Sequence, residues 1–313
     1  MLRPFLLLML SLTAGCGSNS NTTVLAATIE LDESMRVPLV EHKLPIVELT
    51  LNGIPRQRFL LDSGAGMSII DLVQARELGF ETLPYSEGSS TTGSGGKKVE
   101  YDSFVVAKRL EMGELSIEGG RLPAIDSKVM RDVGIVGILG QDLLARLVVV
   151  VDMGSRLLHV LPPGSKHADI ESYLGQAEVG FGTWGVLAYE ARPDPFFELN
   201  IKGFEGQAPS LEIDTGAVTS SFPQAAIEAL GLKATGTAMS QGIGGTYEES
   251  TYDLVDFQLL KFFINCEIKR SPLDYGLLGM DVLGQFVFVL DGPGQALWLF
   301  HREIELEPDE GED

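Results

Sequence analysis

The sequence predicts an all-β protein folded as two similar lobes about a pseudo-twofold axis, with a few short helices. Three observations carry the prediction. The phrase "FLLDSGAGMSIID", Phe59 to Asp71, has a counterpart in "SLEIDTGAVTSSF", Ser210 to Phe222. Five landmarks recur in the same order in the two halves of the 313 residues. Between the landmarks, apolar and polar residues alternate at the period of a strand, and helix-like stretches are brief.

The chain opens "MLRPFLLLMLSLTAGCGSNSNTT". Arg3 is a short basic region, and Phe5 to Leu12 form an apolar run. A bilayer span needs about 20 apolar residues, so this run reads as an export signal, residues 1–16. Small residues leading into Cys16 resemble a bacterial lipoprotein signal, in which the Cys is lipidated and becomes the mature N-terminus. The pattern departs at Thr13, where a Leu is usual. The alternative is a soluble secreted protein cleaved near Ala26. The polar stretch "GSNSNTT" that follows suits a tether, residues 17–33, and favours the lipoprotein reading. The protein is therefore expected to be exported to the periplasm and to touch the membrane only through a lipid anchor on Cys16.

The copies are read as residues 34–163 and 182–302, each the size of a small domain, with 164–181 as a linker. Asp62 and Asp214 anchor them at an offset of 152 (214 − 62), and Leu78-Gly79 then matches Leu230-Gly231 without a gap. "PIVELTLNG" matches "PFFELNIKG", and "TGSGG" (Thr92 to Gly96) matches "QGIGG" (Gln241 to Gly245). "ILGQDLLARLVVVVD" matches "LLGMDVLGQFVFVLD". "VELTLNG" alternates and ends in a turn, while "RLVVVVD" and "FVFVLD" are β-branched or aromatic runs suited to a buried strand. One short helix per copy is expected in "DLVQARELG" and "PQAAIEALG", each stopping at Gly, with Pro223 in the first turn. Residues 303–313 read as a solvated acidic tail.

A net charge of −21 disfavours a polyanionic partner, so no nucleic acid is expected. The cysteines are Cys16 and Cys266; Cys266 lies in the apolar "FFINCEIK" and reads as a buried free thiol. His42, His159, His167 and His301 are scattered and make no spaced metal pair, so neither a metal site nor a cofactor is expected.

Asp, Ser and Gly are ordinary turn residues, and one D-[ST]-G alone is usually a turn. Here the triplet follows an apolar strand once in each copy. Packing about a twofold axis brings the same position of each copy to the axis, so the two acids face each other. Two carboxylates about 3 Å apart share one proton. The charged member can take a proton from a trapped water, and the protonated member can polarise a carbonyl. Ser63 and Thr215 can hydrogen-bond across the interface, and Gly64 and Gly216 allow tight curvature beside the acids.

On "LLDSGA" and "EIDTGA", and on "ILGQDLL" and "LLGMDVL", the chain resembles the retropepsin-like aspartic proteases over nearly all of its length after the signal. Retroviral members are homodimers of one such unit; this chain resembles a covalently joined pair. The resemblance implies two acid-protease β-barrel lobes and Asp62 and Asp214 as the catalytic pair, with Ser63, Gly64, Thr215 and Gly216 in support. It implies that the later motif crosses behind the active loop and leads into a helix. Asp142 and Asp281 are read as helix caps or structural acceptors, and Asp152 and Asp291 as strand ends entering turns. It also implies two flaps closing over bound peptide, with Gly93, Gly95, Gly96, Gly242, Gly244 and Gly245 at their tips. A nucleotide loop is excluded, since "GSGGKK" has Lys98 where Ser or Thr is required and position 91 is Thr. Ala65 and Ala217 stand where pepsin-like enzymes often carry a hydroxyl. Without that donor the pair stays singly protonated to higher pH, so activity is expected at mildly acidic to near-neutral pH.

The function expected is an aspartic endopeptidase acting on peptide or protein, working as a monomer with an internal pseudo-dimer. The rival is a non-catalytic peptide- or protein-binding lipoprotein on the same scaffold. It draws on Glu212, two residues before Asp214, where the first copy has Leu60. Strand alternation places Glu212 on the same face as Asp214. A purely structural lipoprotein is disfavoured, because it needs no acid in both copies.

Overall fold

The computed structural model describes residues 7–8, 12–13, 28–84, 90–93, 97–101, 103–176, 181–188, 190–191, 195–198 and 209–302. Cys16, Gly95, Gly96 and the acidic tail lie outside the described residues. The chain is mostly β, with six short helices among the described residues.

The first lobe is a closed barrel. Its strands follow one another as Leu115–Ile125, Ile69–Asp71, Gly137–Leu139, Ile54–Leu61, Ile46–Leu51 and Ser103–Met112, and the last pairs back with the first. Closure removes the exposed edges a sheet of this size would otherwise carry. The second lobe repeats the order with Phe262–Arg270, Ser221–Phe222, Gly276–Leu278, Ser210–Ile213 and Pro195–Glu198, joined to Gly245–Leu259. In each lobe a short strand (Gly137–Leu139 or Gly276–Leu278) runs parallel to the strand before the D-[ST]-G turn and antiparallel to the one after it. The turn is thus clamped between its two own strands.

A third sheet joins the lobes. Its six strands lie in the order Phe181–Ala188, Ala296–Arg302, Phe286–Asp291, Val148–Asp152, Leu157–Leu161, Met35–Pro38. Val150 pairs with Val289 at its centre. These residues are equivalent in the repeat: Asp152 matches Asp291, an offset of 139, and 150 + 139 = 289. An antiparallel pair of equivalent residues lies on the axis that relates the copies, so the pseudo-twofold axis passes between Val150 and Val289. The unbroken apolar runs are explained here. "VVVVD" and "FVFVLD" are buried on both faces, one against the lobes and one against a helix, His167–Gln176.

That helix falls inside the stretch read as a linker. Ile170 and Leu174 place one apolar turn against Val148, Val150, Val287 and Trp298. Two apolar residues at i and i+4 among polar neighbours are too weak a periodic signal to announce a helix. His159 Nδ1 lies 2.6 Å from Tyr173 Oη, tying the helix to the sheet.

The two expected helices are present as Leu72–Glu77 and Gln224–Ala229. Asp71 caps the first by accepting from Gln74 N. Pro223 stands one place earlier than expected, at the N-cap, where its missing N–H leaves no orphan donor. Two further helices, Gln141–Leu144 and Met280–Leu283, follow the later motif as the resemblance implies. Lys128–Val133 occurs in the first lobe, capped by Ser127 and ended by Gly134 in the left-handed region. No helix among the described residues is long and apolar enough to cross a membrane.

Candidate active site

Asp62 and Asp214 each end a strand beneath the later motif. Asp62 N donates to Leu139 O (3.0 Å), and Asp214 N to Leu278 O (3.1 Å). Both acids are fully buried. Their turns interlock across the lobe boundary. Ser63 Oγ donates to Ile213 O (2.5 Å) and accepts from Thr215 N (3.1 Å). Thr215 Oγ1 donates to Leu61 O (2.7 Å) and accepts from Ser63 N (2.9 Å). Four hydrogen bonds therefore relate the halves by the same twofold operation that relates the strands.

The carboxylates are held from their own loops. Asp62 Oδ1 accepts from Gly64 N at 3.0 Å. Asp214 Oδ1 accepts from Gly216 N at 2.8 Å and from Ala217 N at 3.0 Å. Gly64 explains the approach of the two halves. A Cβ on it would sit 2.7 Å from Asp214 Cγ, so the Asp214 carboxyl packs directly on the backbone two residues beyond Asp62. Only Gly permits that contact.

The later motif supports both loops from behind. A Cβ on Gly140 would lie 2.5 Å from Ala65 O, and one on Gly279 would lie 2.9 Å from Ala217 O. Gln141 N and Met280 N donate to those same carbonyls at 2.7 and 2.8 Å. Asp142 Oδ1 accepts from Ser68 N and Oγ (2.8 and 2.7 Å), and Asp281 Oδ1 from Ser220 N and Oγ (2.9 and 2.6 Å). Both acids lie in the first turn of a helix and act as acceptors that fasten the loop. Burial pushes both carboxyls up, opposed by the serine hydrogen bonds. Asp152 and Asp291 accept from Ser155 N and Gly294 N within turns, at 2.9 and 2.8 Å. One support is asymmetric: Gln141 Nε2 donates to Ser63 O (2.8 Å), where the second copy has Met280.

Two Gly-rich hairpins are present. Ser90–Gly93 pairs with Lys97–Glu100, and Gly236–Gly242 with Gly245–Leu259. The hairpins touch at Gly93 and Gly244: a Cβ on Gly93 would meet Gly244 N at 2.5 Å. Gly245 holds a φ of +108°, and Gly242 is its cross-strand partner. Gln241 Nε2 reaches Asp132 Oδ2 at 3.4 Å, so the second hairpin also touches a first-lobe helix. Both hairpins accept further strands from the chain's own start. Leu7–Leu8 pairs parallel with Ser240 and Gln241, and Leu12–Thr13 antiparallel with Gly93 and Thr92.

The second hairpin also brings residues that the sequence reading did not single out. Burial pushes the Tyr247 phenol far up, and the negative charges of Glu249 and Asp214 push the same way, so Tyr247 lies in the field of the site. Lys269 is fully buried beside Glu249 and Ser240. No local signal marked it: by strand alternation Lys269 falls on the face of Asn265 and Glu267, which are exposed. Glu212 is fully buried in the strand leading to Asp214, opposite Leu277. Cys266 is free but only half-buried, a correction to the buried thiol expected. It shares the inward face of its strand with Ile264 and Ile268 and packs against the core only in part. Burial, with Asp281 and Glu267, pushes the thiol up to about 12, away from reactivity.

A family model described as an aspartyl protease matches residues 47–143 and 199–282. The two matches cover more than half of the chain, and each contains one D-[ST]-G turn and one later motif. No curated protein matches the chain.

Proposed function

Because the chain belongs to the aspartyl protease family matched in both of its halves, we propose that it is a single-chain aspartic endopeptidase. Asp62 and Asp214 would share one proton and activate a water between them. The observation that carries this reading is the reciprocal hydrogen bonding of Ser63 and Thr215, with the Asp214 carboxyl resting on Gly64. A pair of loops locked in that way would present two acids to one small space.

The charged carboxylate takes a proton from water, and the protonated one hydrogen-bonds to the scissile carbonyl oxygen. The water oxygen adds to the carbonyl carbon. The resulting tetrahedral diol breaks its C–N bond as a proton passes to the leaving amine. The flaps would hold the peptide as an added strand. Their pairing with Leu7–Leu8 and Leu12–Thr13 supports this, because these edges accept extended chain. A segment that crosses a twofold axis meets equivalent edges in opposite senses, one parallel and one antiparallel, as here.

We also propose that residues 1–16 direct export and that Cys16 carries lipid; loss of palmitate labelling in Cys16→Ser tests this. The enzymatic reading is tested with an internally quenched peptide library on the exported, processed protein, Asp62→Asn and Asp214→Asn. Cleavage abolished in both variants supports the endopeptidase. Peptide retention with no cleavage by the wild-type chain supports the binding module instead, the reading that the buried Glu212 beside the site favours.

A further inference from the structure

Beside the second flap lies a buried polar cluster that the reaction above does not use. Lys269 Nζ donates to Ser240 Oγ at 2.7 Å and stands 3.5 Å from Glu249 Oε2. Ser240 Oγ also donates to Glu249 Oε2 in a short contact. Ser221 joins them, paired through the backbone with Lys269. All four are at most 2% exposed. Two polar atoms in the cluster have no partner: Ser221 Oγ and Glu249 Oε1. Buried polar atoms are nearly always satisfied, so a pair of orphans in one place calls for an occupant.

The cluster faces the cleft rather than the lobe core. Phe222 packs in that core against Phe257, so its strand neighbour Ser221 points the other way. Ile268 is likewise in the core, and Lys269 alternates with it. Ser240 lies on the flap strand opposite Tyr247, and chain laid along that strand passes it, as Leu7 does. The first lobe is different. Ser221 corresponds to Ile69 at the offset of 152, and the pairing of Ile70 with Ala124 makes Pro123 the counterpart of Lys269. Both are buried and apolar. The two sides of the pseudo-symmetric cleft thus differ in chemistry.

We propose that Ser221, Ser240, Glu249 and Lys269 form a substrate subsite on the second-lobe side of the scissile bond, which takes a neutral side chain that both donates and accepts hydrogen bonds, a carboxamide (Asn or Gln) above all. The amide N–H donates to Glu249 Oε1, and the amide oxygen accepts from Ser221 Oγ. The neighbouring opposite charges of Glu249 and Lys269 disfavour a formal charge of either sign. The apolar side formed by Ile69 and Pro123 takes an aliphatic residue. A two-fold enzyme made of identical halves reads both sides of its substrate alike; this difference gives the cleft a direction.

The inference rests on the endopeptidase reading and is tested so that the two fail separately. The exported, processed protein is offered an internally quenched library randomised on both sides of the cut, and the products are sequenced. The wild type is expected to prefer Asn or Gln over Leu at one position on one side. Ser221→Ala should lower that preference roughly ten- to hundredfold, the worth of a hydrogen bond to a charged or otherwise orphaned partner. The double variant Glu249→Leu/Lys269→Met replaces the ion pair by apolar groups of similar size, which a fold tolerates better than losing one partner. It should turn the preference toward Leu. An amide preference that survives the double variant, or is absent from the wild type while peptides are cut, overturns the subsite. If nothing is cut, the endopeptidase reading has failed, and the subsite is then read from peptides retained by the chain. Amide-rich retention supports it, and unbiased retention overturns it.

Discussion

Ser63 and Thr215, 152 positions apart, each use one hydroxyl to donate to a backbone carbonyl of the other lobe and to accept from the other's backbone N–H. Neither hydroxyl is exposed to solvent, at 0% and 1%. The predicted consequence is that one atom holds two buried backbone groups. In Ser63→Ala, Ile213 O loses its donor and Thr215 N its acceptor. Two orphaned buried groups should cost about 2–6 kcal/mol, read as a lower urea midpoint. Thr215→Ser keeps the oxygen and should cost far less. Equal losses in the two variants would mean that packing, not the hydrogen bonds, joins the lobes.

Gly64 carries a different prediction. Its substitution by Ala drives a Cβ into Asp214, whose Cγ would stand 2.7 Å away. The carboxyl must move by most of an ångström. A misplacement of about 1 Å can lower a rate roughly 100-fold. Gly64→Ala should therefore fold and lose most of its kcat. A variant with undiminished kcat would place the working position of Asp214 somewhere other than against Gly64.

What could be read from the sequence was what repeats. The D-[ST]-G turns, the later motif and the Gly-rich hairpins each occur twice, and a duplicated phrase survives the ambiguity of any single short run. Ser63 and Thr215 could be anticipated to bond across the halves because symmetry dictates where their hydroxyls meet. The parts missed are those without a counterpart. Helix His167–Gln176 rests on Ile170 and Leu174, and Gln141 has no amide opposite it at Met280. Lys269 sits in a strand whose first-lobe partner is Pro123. Each depends on a neighbour distant in sequence, and nothing local distinguishes a buried lysine from a solvated one.

Ala217 offers its backbone N–H to Asp214 at 3.0 Å and has no hydroxyl to add. Ala217→Ser would supply an O–H donor beside the carboxylate. Donation to the charged form favours it, so the acid limb of the pH–rate profile should move to lower pH. The wild-type profile should peak at mildly acidic to near-neutral pH. A wild-type maximum in strongly acidic buffer, or a limb that moves upward in the variant, would contradict this account of the two alanines.

Asp142 should influence stability with a defined sign. Burial raises its carboxyl above the ordinary value of 3.8. A folded-state value above the unfolded one means that folding favours the protonated form. This contribution is full below pH 3.8 and is lost as pH rises through the folded value, so at neutral pH the buried charge opposes the fold. Oδ1 alone accepts both hydrogen bonds from Ser68. Asp142→Asn keeps that acceptor without the charge and should flatten stability between acid and neutral pH. Asp142→Ala orphans both Ser68 donors and should lose about 1–3 kcal/mol or more at all pH values. Thermal midpoints of both variants across pH check the sign, and parallel curves for Asn and wild type would refute it.

Contact between the two hairpins at Gly93 and Gly244 should matter to bound peptide and little to the fold. Gly93 meets Gly244 through backbone atoms, which cannot swing aside as a side chain can; an added Cβ would lie 2.5 Å from Gly244 N. Gly93→Ala should hold the hairpins apart. The hairpin Ser90–Gly93/Lys97–Glu100 stands outside the barrel ring, so the urea midpoint should barely change. Gly53→Ala is the reciprocal control. Gly53 has a φ of +81° and nothing within 4 Å of its would-be Cβ, so that variant should lose stability through backbone strain and leave peptide kinetics alone. In Gly93→Ala, KM should rise more than kcat falls, because the hairpins act on retention of the peptide and not on the acids. A statine-type inhibitor, which mimics the tetrahedral intermediate, should dissociate faster from it. If its off-rate and KM match the wild type, the two hairpins do not close together over substrate, and each must act alone.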